Sequence, residues 1–146
     1  MDSLLQNDPL IAAFIAWLLA QALKVFTDFP TRRRLSLHMW ASSGGMPSSH
    51  SAIVTALATV VGMQQGFDSP LFAICFVFGS VVMYDATGVR RAAGHQARIL
   101  NQIVAELFEG HAISQRQLKE LIGHTPVQVI VGSLVGLVVA ILWLNR

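Results

Sequence analysis

"PVQVIVGSLVGLVVAILWL", Pro126–Leu144, carries no charge along its whole length. A helix that crosses the hydrocarbon core of a bilayer needs about 20 mainly apolar residues, with a range of roughly 17 to 25. This run meets that length, and Pro126 suits its first turn, where a missing N–H does no harm. Gly132, Ser133 and Gly136 fit close helix packing, either within one chain or between subunits, so a homodimer is compatible with the pattern. The composition agrees with a membrane protein. Of 146 residues, 53% are hydrophobic and only 12% charged, against about 25% charged in soluble domains. Mean hydropathy is +0.56.

Three more segments read as spans. They are Pro9–Phe26, about Ser49–Gln65, and Pro70 to about Val89. The middle one has the shortest clean apolar stretch, which leaves a half-buried helix open for it. The acidic "MDSLLQND" and the lack of a small-residue cleavage site lead us to expect that the first run stays as a transmembrane helix. "QQGFDSP" is a tight polar turn that pairs the second and third spans.

The two other connections, 27–45 and about 90–125, are longer and basic. They hold Arg32, Arg33, Arg34, Arg90, Arg91, Arg98, Arg116 and Lys119. With an even number of spans both connections share one side, which the positive-inside rule makes cytoplasmic, with the plasma membrane as the expected location. "RRAAGHQARILNQIVAELFEG" places Leu100, Ile103, Val104, Leu107 and Phe108 at helical spacing, so an amphipathic helix is expected there. "SQRQLKELIG" reads as a short helix capped by Ser114 and closed by Gly123. The expected architecture is an all-α integral membrane bundle over 1–146, one domain. It has about four transmembrane helices, with the amphipathic and short helices on the basic face. Cys75, the single cysteine, excludes an internal disulfide and packs as an apolar residue. An excess charge of only +2 gives no case for nucleic acid.

Polar residues gather at the span ends of the basic side. Lys24 ends the first span, and Ser48, Ser49 and His50 open the second in "GGMPSSHSA". Asp85, Arg90 and Arg91 follow the third in "YDATGVRR", and His124 opens the fourth in "GHTP". The set suits a phosphate ester. Lysine and arginine neutralise the non-bridging oxygens, and N–H groups at a helix start cradle an anion. One histidine can attack phosphorus while the other protonates the leaving oxygen, with no metal or cofactor required. Each residue also has a plainer reading. Lys24 can snorkel to the interface, and Ser48 or Ser49 can be an N-cap. Asp85 can pair with Arg90 or Arg91, and Arg32–Arg34 can be topology signals alone. His38, His95 and His111 carry little signal of their own.

"GGMPSSHSA", "MYDATGVRRAAGHQA" and "LKELIGHTPVQVIVGSLVG" together resemble the divergent branch of the type 2 phosphatidic acid phosphatase superfamily, related to acid phosphatases and vanadium-dependent haloperoxidases. The resemblance runs from Lys24 to Gly136. It implies a membrane protein whose helical bundle corresponds to the phosphatase core. By that resemblance His124 is the nucleophile of a phosphohistidine intermediate, and His50 protonates the leaving group. Ser48 and Ser49, the latter in place of a glycine, hold phosphate beside Lys24 and, more loosely matched, Arg32. Gln128 stands where the family carries an Asp. It can fix the imidazole tautomer without adding negative charge. Leu118 stands at an Arg position, so Lys119, Arg90 or Arg91 would supply the missing cation, and Asp85 is a further orienting carboxylate. The implied substrate is a lipid phosphate or diphosphate in membrane lipid. The competing expectation is a catalytically inactive protein that binds or translocates an anionic lipid.

Overall fold

The computed structural model describes residues 2–32, 45–107 and 123–146; of Arg32, Arg90 and Arg91 it describes the backbone alone. Six helices follow one another among these residues. They are α1 (Asp2–Leu5), α2 (Asp8–Arg32), α3 (Ser49–Gln65), α4 (Pro70–Thr87), α5 (Val89–Leu107) and α6 (Pro126–Leu144). Among the described residues three stretches are long and apolar enough to cross a membrane: Asp8–Thr27, Pro70–Ala105 and Pro126–Leu144.

The end of the first span differs from expectation, while α3 covers the expected Ser49–Gln65. α2 runs on past Phe26 to Arg32 and takes Pro30 into its last turn, where the missing N–H removes one hydrogen bond to the carbonyl of Phe26. α3 has 17 residues, about 26 Å at 1.5 Å per residue, and so sits at the short limit for a span. Its place in the bundle explains its weak apolar signal. α3 packs on α2, α4 and α6 at once, so its residues face protein more than lipid.

The core is built from small side chains. Ala12, Ala16 and Ala20 form one stripe on α2, Ala52, Ala56 and Val60 another on α3, and Val139 and Ala140 close it from α6. A four-residue interval keeps such residues on one helix face. Without a hydrophobic drive inside lipid, helices associate through van der Waals packing, which small residues favour by letting backbones approach. α6 makes the closest approach. A Cβ on Gly132 would lie 2.2 Å from the Ser48 carbonyl oxygen, and one on Gly136 would lie 2.3 Å from that of Ala52. These two glycines are therefore used inside the chain, against α3.

Large apolar side chains point outward. Phe14, Leu18, Ile74, Phe78, Leu134 and Leu142 are all exposed, the arrangement expected where the solvent is hydrocarbon. α4 is the most peripheral of the long apolar helices, burying only Gly79 and Ala86. After a break at Gly88, α5 forms the expected amphipathic helix, with Ile99, Leu100, Ile103 and Val104 exposed. Apart from Gly123, the short helix expected over Ser114–Gly123 falls outside the described residues, Leu118 and Lys119 included, as does Arg33.

Candidate phosphate site at the heads of α3 and α6

The two sequence motifs meet because α3 and α6 are pressed together at their first turns. The Ser48 N–H donates to the Gln128 carbonyl at 3.0 Å, one turn above the Gly132 contact. Ser48 is also the N-cap of α3. Its Oγ accepts the Ser51 N–H at 3.3 Å and the Ser51 hydroxyl at 3.0 Å. The capping reading of Ser48 is thus realised, and its amide is committed to holding the two helices in register. The rings of His50 and His124 follow from this contact. Their centroids lie 6.0 Å apart, at 59° between planes.

His124 is anchored on three sides. Gly123 takes φ +103°, a conformation other residues rarely adopt, and turns the chain into α6. The His124 N–H donates to the Ala86 carbonyl at 2.8 Å, tying the residue to the end of α4. On the ring, Nδ1 lies 3.2 Å from Gln128 Oε1. That same oxygen accepts the Thr125 N–H at 3.0 Å, and the Gln128 N–H donates to Thr125 Oγ1, completing a capping box. Because a backbone N–H can only donate, the Gln128 atom facing it is an acceptor, and Nδ1 must then be the protonated nitrogen. A neutral His124 therefore keeps its lone pair on Nε2. The side chain is 2% exposed.

Lys24 comes from α2. It is 2% exposed and donates from Nζ to Ser49 Oγ at 3.2 Å, so it turns into the bundle instead of snorkelling outward. Thr27 fastens the neighbouring loop, its hydroxyl meeting the carbonyls of Lys24 and Met46. Asp85 is half-buried in the last turn of α4, next to Ala86. Lys24, Ser48, Ser49, His50, Gln128 and His124 are thus brought to one end of the bundle, with Asp85 at the same level. Arg32 ends α2, and Arg90 and Arg91 begin α5, which gives the basic character of that end through backbone position.

Two buried polar residues were not anticipated from sequence. Ser51 is fully buried against Ser48, and Gln21 is 6% exposed on α2, three residues before Lys24. The i, i+3 spacing of Gln21 and Lys24 inside an otherwise apolar run was the available signal.

Comparison with known proteins places these residues in context. Residues 5–139 match the family described as the Divergent PAP2 family. The chain is similar to a Bacillus subtilis (strain 168) protein described as "Uncharacterized membrane protein YuiD". The two are 43% identical over 149 residues, with 94% of each chain covered. No solved structure matches it significantly.

Proposed function

The chain belongs to the divergent PAP2 family, and we propose that it is a membrane phosphatase hydrolysing a lipid phosphate or diphosphate at the heads of α3 and α6. The observation that carries this reading is the 6.0 Å separation of the two imidazoles. In a displacement at phosphorus one ring must reach the phosphorus and the other the departing oxygen, so both imidazoles have to border one phosphate-sized space, as neighbouring rings at the helix heads can.

In the proposed reaction His124 Nε2 attacks phosphorus and the bond from phosphorus to the ester oxygen breaks. Protonated His50 gives its proton to that departing oxygen. Water then attacks the phosphohistidine, with His50 taking a proton from it, and inorganic phosphate leaves with Nε2 restored. Lys24 and Ser49 bind non-bridging oxygens, helped by the positive end of α3. Arg90, Arg91, Arg32 or Lys119 supply further positive charge, and Asp85 orients one of the cations. Gln128 holds the tautomer that the attack requires. The lysine and arginine distribution supports a cytoplasmic location for this face.

Gln128 also favours a second reading, in which the pocket binds an anionic lipid without chemistry, because a neutral amide does not stabilise imidazolium as a carboxylate does. One assay separates the two. Purified protein is given a panel of lipid phosphates and phosphate release is followed, with and without vanadate as a mimic of pentacoordinate phosphorus. Release that vanadate inhibits and His124→Ala abolishes is expected. Unchanged release in His124→Ala removes the nucleophile, and lipid binding with no release selects the second reading.

A further inference from the structure

Outside the small-residue core, α3 and α4 do not close on each other along their length. A groove of about 350 Å³ runs between them. It exists because the facing residues are small where the helices come nearest. Gly79 offers no side chain, and even an added Cβ would only just touch Val54, at 3.5 Å. Ala58 is small on the opposite wall, while Phe72 and Phe76 form the sides. Phe67 and Phe72, edge to face at 5.0 Å, close the groove at the hairpin end.

The other end lies on the histidine side of the bundle. Met83 and Ser133 line it, the Ser133 hydroxyl lying 3.4 Å from the Met83 sulfur. Three residues beyond Met83, less than one helical turn, Ala86 holds the His124 N–H. The end of the groove therefore lies within one helical turn of the candidate phosphate site along α4.

Its dimensions select the occupant. From Phe72 to Met83, α4 rises about 16 Å at 1.5 Å per residue, close to the roughly 15 Å of one leaflet of hydrocarbon. Spread over that length, the space open to the centres of water-sized molecules corresponds to a side-opening groove roughly 8 Å wide from wall to wall, narrower than the about 10–12 Å of a helix with its side chains. Such a space is too narrow for another helix; its wall is mostly apolar, and of its hydroxyls Ser80 and Ser133 already donate to the carbonyls of Phe76 and Val129, so it offers ordered water few partners.

We propose that this groove takes one hydrocarbon chain of the lipid whose phosphate sits between His50 and His124. Where the phosphate sits rests on the function proposed above; the groove itself does not. The preferred ligand is then a long-chain lipid phosphate, held at both ends, and a water-soluble phosphate lacks half of its binding surface.

Cys75, the single cysteine, lines the groove and reports on it directly. The test follows the rate of N-ethylmaleimide labelling of Cys75 in phosphatidylcholine nanodiscs, with added phosphatidic acid or added inorganic phosphate. Phosphatidic acid at ten times its dissociation constant is expected to slow labelling about tenfold, inorganic phosphate is expected to leave it unchanged, and Lys24→Met is expected to remove the protection. Equal labelling rates with and without phosphatidic acid overturn the proposal. So does efficient cross-linking of Cys75 between two chains by a short bis-maleimide, which puts a second copy against the groove. Phosphate release measured on the same samples keeps the two ideas apart. Protection without release leaves the chain site standing and removes the chemistry, while release without protection does the reverse.

Discussion

Gln128 occupies the position that decides how His124 behaves. Its side-chain oxygen accepts from Thr125 and from His124 Nδ1 together, so one residue both caps α6 and sets the tautomer of the ring. Gln128→Glu preserves both acceptor contacts and adds the negative charge that stabilises imidazolium. We expect phosphate release to rise several-fold with the melting temperature little changed; slower release at unchanged stability would show that the amide is needed for something else. Gln128→Leu removes both contacts. It is expected to cost about 1–2 kcal/mol through the lost cap and to lower turnover beyond what that destabilisation explains, measured by thermal melting and initial rates in parallel. Gln128 and His124 were readable together in the sequence, four residues apart at the start of the fourth span. The meeting of Lys24 with Ser49 was not, because the two residues are far apart along the chain and only the packing of α2 on α3 joins them.

At the level of the helices, the site depends on how near α6 comes to α3. Gly132 and Gly136 leave no room for a side chain against the carbonyls of Ser48 and Ala52. Gly132→Val must push the helix heads apart or break the Ser48–Gln128 contact. Overpacking of this kind costs about 1–3 kcal/mol. The expected result is a lower melting temperature together with loss of phosphate release. Leu134→Ala is the control, since Leu134 lies on the same helix with its side chain exposed on the outside of the bundle. If Gly132→Val melts like the parent protein, the close approach is not what holds the two helices. The second span shows the reverse lesson. α3 gave the weakest membrane signal because its serines, threonines and alanines serve contacts with three neighbours, and a hydropathy pattern reports exposure to lipid, not centrality.

Across the whole molecule the two ends of the bundle do different work. The histidine end gathers the polar residues, while at the opposite end Asp8 ties the helices together. Its carboxylate accepts from Trp143 Nε1 at 2.9 Å, Arg146 at 3.1 Å and Gln64 Nε2 at 3.0 Å. The Arg146 guanidinium also stacks over the Trp143 ring. Asp8 is partly exposed, so the net loss in Asp8→Ala is about 1 kcal/mol. A modest drop in melting temperature with unaltered turnover is expected; a large fall in turnover would mean that the two ends are coupled. Because α2 starts and α6 finishes at this end, both chain ends lie away from the histidines. A cysteine introduced at Asn145 in a Cys75→Ala background is expected to react with an impermeant maleimide on intact cells. Labelling only after lysis would put the histidines on the outer side.

Taken alone, the sequence determined that this chain is an all-helical membrane protein, where its apolar helices begin, and which residue types cluster at one face. Span length and charge distribution are local properties that solvation by lipid reads one segment at a time. The tertiary structure decided which helix lies in the middle, that the glycines of α6 face their own chain, and that the His50 and His124 rings come within 6.0 Å of each other. Those outcomes depend on which small-residue stripe packs against which, and a contact between distant segments leaves no periodic trace in either one.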